Sequence, residues 1–125
     1  MTRLLLIGSG GFLGAVSRYL LSGLVYRLVR DPWFPYGTLA VNLIGCLIIG
    51  FLNGLIEMRH ILSPDTRALL LIGFLGSFTT FSTFAFESFS LARDSQFMST
   101  FLNLILHIVP GVLFVWLGYS LAKTL

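Results

Sequence analysis

Four long apolar runs, separated by three short polar breaks, organise the chain. The first extends from Leu4 to Leu28, the second from about Tyr36 to Met58, the third from about Thr66 to Leu91 and the fourth from Phe97 to Leu121. Crossing the hydrocarbon core of a bilayer takes roughly 20 apolar residues, so each run predicts a membrane helix. The first is too long for the apolar part of a signal peptide, and no small-residue cleavage pattern precedes Arg27. The breaks carry turn chemistry. Val29 to Pro35 holds two prolines, charges of both signs and the headgroup-depth aromatics Trp33 and Phe34. Arg59 to Asp65 offers Ser63 or Asp65 as a helix cap, and Arg93 to Gln96 is the last short turn. The expectation is one all-α membrane domain over residues 1–125, with helices at about 4–28, 36–58, 66–91 and 97–121, short loops and both termini on one side.

Polar and small residues inside the runs refine this picture. Gly73 to Thr80 concentrates glycine, serine and threonine at mid-depth. Bare backbone polar groups are costly in lipid, so an interruption there requires cover from protein or a cavity. The segment reads as a broken helix, against the alternative of an intact helix with small packing residues. The spacings Gly10 to Gly14 and Gly50 to Gly54 suit close helix packing. Gly8 to Gly14 superficially resembles a dinucleotide fingerprint, but its third glycine comes one place late and no strand precedes it.

Composition narrows the function classes. Of the 125 residues, 56% are hydrophobic and 10% charged, and the mean hydropathy is +0.92. A soluble domain carries about 25% charged residues, so a water-exposed catalytic domain is excluded. The net charge of +3 is scattered, with no run of three basic residues, which argues against nucleic-acid binding. Cys46, the only cysteine, cannot form an intrachain disulfide and reads as a small core residue. Arg3, Arg59, Arg67 and Lys123 fall on one predicted side and Arg27, Arg30 and Arg93 on the other. Orientation follows a basic excess, and four against three is almost none, so the chain is expected to insert both ways and to pair as an antiparallel homodimer.

Several side chains at lipid depth need compensation. Arg18 sits within helix one, at a cost of about 2.5–3.5 kcal/mol on the mildest scale. It either faces an aqueous vestibule or pairs with a carboxylate or helix carbonyls. Glu87 lies deep in helix three and either relays protons or anchors hydroxyl and guanidinium donors. Thr38, Asn42, Gly45, Ile49 and Asn53 share one face of helix two, offering amide donors to an anion or to neighbouring helices. In helix four, Asn103, His107 and Gly111 share a face, and Pro110 is expected to kink the helix near Leu106. His107 has no ligand-spaced companion for a metal site and reads as a hydrogen-bonded packing histidine, against the alternative of a pore-lining one. The densest signal is Gly76-Ser77-Phe78-Thr79-Thr80-Phe81-Ser82-Thr83-Phe84. Phenyl rings carry a positive edge that stabilises an anion weakly, as conduction requires, though such a stripe also serves packing.

That block, followed by Glu87, resembles the signature of the Fluc (CrcB) family of bacterial fluoride channels. The likeness extends to Gly11-Phe12-Leu13-Gly14-Ala15-Val16-Ser17-Arg18-Tyr19 and Pro35-Tyr36-Gly37-Thr38-Leu39-Ala40-Val41-Asn42. The resemblance implies an antiparallel, dual-topology homodimer in the bacterial inner membrane, with two pores that pass fluoride and exclude chloride. It implies that Phe81 and Phe84 form the ring-edge pair, that Asn42 is an amide donor and Arg18 the vestibule arginine. Thr38 and Ser82 would supply hydroxyls, with Glu87 beside the track. It also implies a structural sodium ion on the dimer axis, held by the carbonyls of Gly76 and Thr79. Two features depart from the family pattern. Ser77-Phe78 stands where a second glycine and a leucine often follow, and Gly111 takes the place of a track serine. The alternative is a proton-coupled exporter of the small multidrug-resistance type, a family that needs a glutamate in helix one, where this chain has Arg18 instead.

Overall fold

The computed structural model describes residues 1–30, 33–59 and 61–125. Asp31, Pro32 and His60, parts of two predicted loops, lie outside the described residues. Among the described residues the fold is all helical. Helix α1 covers Thr2–Leu28 and α2 covers Tyr36–Arg59. A third span opens with α3 (Pro64–Arg67), passes through a π-helical stretch (Ala68–Leu75) and a short α4 (Gly76–Phe78), and resumes as α5 (Phe81–Arg93). Helix α6 covers Phe97–Lys123. Four stretches, 2–28, 36–59, 64–93 and 97–123, are long and apolar enough to cross a membrane.

Local chemistry accounts for the boundaries. The third span starts two residues before the expected Thr66 because Ser63 is the cap. Its hydroxyl accepts the Thr66 N–H at 3.2 Å, and Pro64 follows with a φ suited to the first turn. Helix α1 ends as Val29 turns extended, its N–H still donated to the Val25 carbonyl. Helix α6 runs two residues past Leu121 and continues without interruption through Pro110, whose ring nitrogen has no hydrogen to give the Leu106 carbonyl. The π-helical octet Ala-Leu-Leu-Leu-Ile-Gly-Phe-Leu had no counterpart in the sequence reading. After α4 the backbone leaves the helix. Thr79 (φ −81°, ψ 157°) and Thr80 (φ −149°, ψ 108°) are extended, and the Thr80 hydroxyl caps α5 by accepting the Thr83 N–H at 3.3 Å.

Glycine brings the helices together. A Cβ at Gly14 would strike the Phe74 carbonyl, and one at Gly10 the Leu69 carbonyl, so α1 lies backbone against backbone on the π-helical stretch. Likewise Gly50 faces the Val115 carbonyl and Gly118 the Leu47 carbonyl, pinning α2 to α6. At the ends, Arg3 pairs with Asp65 at 3.0 Å, and the Tyr119 hydroxyl donates to Glu57 Oε2 at 2.7 Å. The buried centre is Val41, Leu75 and Phe78, with Phe74 and Phe78 stacked at 5.7 Å. Much of the outer surface is apolar, including Leu5, Phe12, Phe86, Phe101, Val112 and Trp116, which suits contact with lipid tails.

These contacts make a sharp stability contrast. Gly14→Ala is expected to lower the melting temperature in detergent markedly, since its methyl meets backbone that cannot rotate away. The cost should exceed the ~1–3 kcal/mol of ordinary overpacking. Gly23→Ala meets nothing within 4 Å and should leave the melting temperature unchanged or raise it.

Candidate functional site

Polar chemistry gathers where the third span leaves its helix. The Thr79 N–H still closes the preceding turn onto the Leu75 carbonyl at 3.0 Å, but Thr80 has left that helix, and Asn42 of α2 answers both faces of Thr80. Its Nδ2 donates to the Thr80 carbonyl at 3.1 Å, while its Oδ1 accepts the Thr80 N–H at 2.9 Å. In a continuous helix that N–H would reach the Gly76 carbonyl, so Gly76 loses its helical donor to Asn42. One Asn42 amide hydrogen remains for another acceptor.

Two cavities flank this strap. One, of about 390 Å³, is lined by Asn42, Gly45, Cys46, Gly76, Thr79, Thr80, Phe81, Phe84 and His107 together with apolar residues. The other, of about 440 Å³, is lined by Arg18, Tyr19, Ser22, Tyr26, Thr38, Thr80 and Thr83 among others. Thr80 lines both and so forms the wall between them. Phe81 and Phe84 meet at 5.6 Å with their planes at 62°, an edge-to-face arrangement. Phe84 is buried at 8% exposure, whereas Phe81 is 78% exposed on the outside of this single chain.

The remaining predicted residues distribute around these cavities. Arg18 is half-buried on the second cavity, and of the two ion pairs among the described residues, Arg3–Asp65 and Arg93–Asp94, neither includes it. Glu87 does anchor a hydroxyl, accepting from Thr38 at 2.7 Å through Oε1, while Oε2 is buried without a partner. Ser82 is exposed at the start of α5, 3.5 Å from the Thr80 hydroxyl. Asn53 leaves the stripe expected on helix two. Its amide folds back onto the Ile49 carbonyl of its own helix at 2.8 Å and lines neither cavity. Among the described residues no three His, Cys, Asp or Glu side chains converge, so a metal here would depend on backbone oxygens.

Sequence reasoning missed the central place of Thr80 and the partners that α6 finds on α5. Asn103 Nδ2 donates to Ser88 Oγ at 2.9 Å, and the His107 ring lies on Phe84 with centroids 4.2 Å apart. The first had a detectable signal, a threonine immediately before a helical run. The second joins residues 15 positions apart on different helices, which no local pattern reports.

Comparison with known proteins decides the family. The model of the CrcB-like protein family, Camphor Resistance (CrcB), matches residues 5–119. The chain belongs to the CrcB-like family. A relative from Chlorobium phaeobacteroides strain BS1, named fluoride-specific ion channel FluC, is 47% identical over 96% of this chain and 92% of its own. One of the same name from Geobacter sp. strain M21 is 42% identical over the whole of both chains. A third from Methanosarcina acetivorans, FluC 1, is 45% identical over 94% of this chain and 88% of its own. In this CrcB-like chain the matched region takes in every residue that lines the two cavities. The family assignment agrees with four helices suited to a multi-pass membrane protein.

Proposed function

We propose that this chain is a passive fluoride-selective channel of the bacterial inner membrane, lowering cytoplasmic fluoride by letting it leave. The observation that carries the reading is identity of 40–47% over nearly full length to relatives named fluoride-specific ion channel FluC. The geometry supports it. Arg18 supplies positive charge to a hydroxyl-lined vestibule, Thr80 stands at its inner wall, and Asn42 with the Phe81 and Phe84 rings lines the cavity beyond. An anion stripped of water meets N–H, O–H and C–H donors that hold it weakly enough to leave. Thr38 and Ser82 add hydroxyls, and Glu87 is tied to Thr38 beside this route.

The exposed Phe81 supports an antiparallel dual-topology homodimer, in which a second copy covers the open side of the first cavity. The interruption at Thr79 and Thr80 is read as a membrane helix broken at mid-depth. A structural sodium ion fits there because Gly76 has lost its helical donor and Thr79 is extended, leaving carbonyl oxygens free to ligate. Bound there, the ion supplies fixed positive charge that offsets unpaired carbonyls, and it is not consumed by transport.

Fluoride efflux from proteoliposomes, beside efflux of chloride and of a cationic dye, tests the channel reading. Rapid fluoride efflux without the other two is the expected result. Dye export in its place overturns the reading. Orientation has its own test. Two lysines added beside Ser95, in the turn joining α5 to α6, should bias that loop to the cytoplasm. A terminal cysteine of the unmodified chain that labels from one side only would rule out dual topology.

A further inference from the structure

Two polar atoms of α6 are buried without a hydrogen-bond partner, Asn103 Oδ1 and His107 Nε2. Both residues belong to a connected chain of bonds that ends at a pore-side ring. Asn103, at 0% exposure, donates to Ser88 Oγ, which donates to the Phe84 carbonyl at 2.8 Å. His107 Nδ1 lies 2.9 Å from the Asn103 carbonyl. A carbonyl oxygen only accepts, so Nδ1 must carry the hydrogen. The neutral ring is therefore held in the tautomer whose Nε2 is a bare lone pair. The same ring packs on Phe84 with planes tilted 32°, and it lines the cavity shared by Asn42, Thr80 and Phe81.

We propose, building on the channel reading, that His107 sets the rate of the fluoride route, repelling the anion when neutral and donating to it when Nε2 takes a proton. In the neutral form the lone pair opposes an approaching anion. A proton taken from water converts Nε2 to an N–H donor and gives the ring a positive charge, while the Nδ1–H bond to Asn103 is kept. The imidazolium also strengthens the contact with the Phe84 face. Among the described residues, Cys46 of α2 is the one other titratable side chain lining the cavity; Glu57 of the same helix is bonded to Tyr119, and Arg59 is its last residue. On α5, Glu87 is bonded to Thr38 and does not line it. Asp65 and Arg67 stand at the outer start of the third span, Arg93 and Asp94 pair at the far end of α5, and Lys123 lies at the end of α6, over the Tyr119 ring.

The test is initial fluoride efflux from proteoliposomes between about pH 8 and about pH 5.5, a range that brackets the ordinary imidazole pKa, with protein-free vesicles subtracted. Wild-type efflux should rise several-fold as the pH falls, and His107→Gln, of equal thermal stability, should give a flat profile. A flat wild-type profile, or an unchanged slope in His107→Gln, overturns the proposal. Imidazole nitrogen-15 shifts of the otherwise unaltered protein in bilayers, on a His60→Gln background that leaves one histidine, keep the test independent of how His107→Gln folds. Hydrogen on Nδ1 at high pH and on both nitrogens at low pH supports the proposal; hydrogen on Nε2 alone at high pH sinks it. Absence of fluoride efflux from wild type at every pH would instead remove the channel reading, and this proposal with it.

Discussion

Asn42→Asp should abolish fluoride efflux at neutral pH and recover part of it as the pH is lowered. The side chain keeps its shape, but a carboxylate replaces the amide at the wall both cavities share. An anion passing about 4 Å away at an effective dielectric of about 20 meets a repulsion on the order of 4 kcal/mol, roughly a thousandfold in rate. The exchange also removes the N–H given to the Thr80 carbonyl and sets a carboxylate oxygen against it. Protonation reverses both effects, since a neutral carboxyl again has a hydrogen to donate. Asn42→Ala separates the structural share. It leaves both Thr80 backbone groups without their partner, at about 1–3 kcal/mol for each that stays buried, and should lower stability without introducing a charge. Efflux across a pH series, taken relative to wild type at each pH and from vesicles holding monodisperse protein, distinguishes these outcomes. Wild-type rates for Asn42→Asp at neutral pH would take Asn42 out of the route.

The helices were legible because solvent selects them. Apolar runs of bilayer length between polar breaks have few other solutions, and the Ser63 cap and Pro64 mark one boundary within a residue or two. The π-helical stretch was not legible, because an unbroken apolar octet looks the same at any helical pitch. The close glycine approaches followed from spacing at Gly10, Gly14 and Gly50, while Gly118 takes its importance from facing Leu47 across α2. At the candidate site the residue types were readable and their pairing was not. Asn42 and Asn53 carry the same amide on the same helix face. Yet one straps Thr80, 38 residues away, and the other closes on its own turn. The difference arises from what lies opposite each: an extended backbone with unpaired groups, or none. His107 shows the same limit, since its tautomer depends on a carbonyl one turn back and its position on a ring contributed by α5.

Phe81→Ile should cut fluoride efflux by an order of magnitude or more while leaving the single-chain fold nearly as stable as wild type. At 78% exposure this ring contributes little to the packing of its own chain, and the aromatic ring it meets is Phe84. Replacing it removes a positive ring edge and keeps an apolar side chain of similar reach, so a loss of conduction cannot be assigned to a collapsed core. Phe84→Ile is the contrasting case. That ring is buried, lies against His107 and follows the Thr80 cap by four residues, so its loss should cost both stability and conduction. If the two rings only fill space, the stability losses remain but folded protein conducts normally. Fluoride efflux from verified dimers of each variant, measured beside melting temperature, separates the readings. Wild-type efflux in folded Phe81→Ile, the variant with least structural excuse, would take the ring edges out of the mechanism.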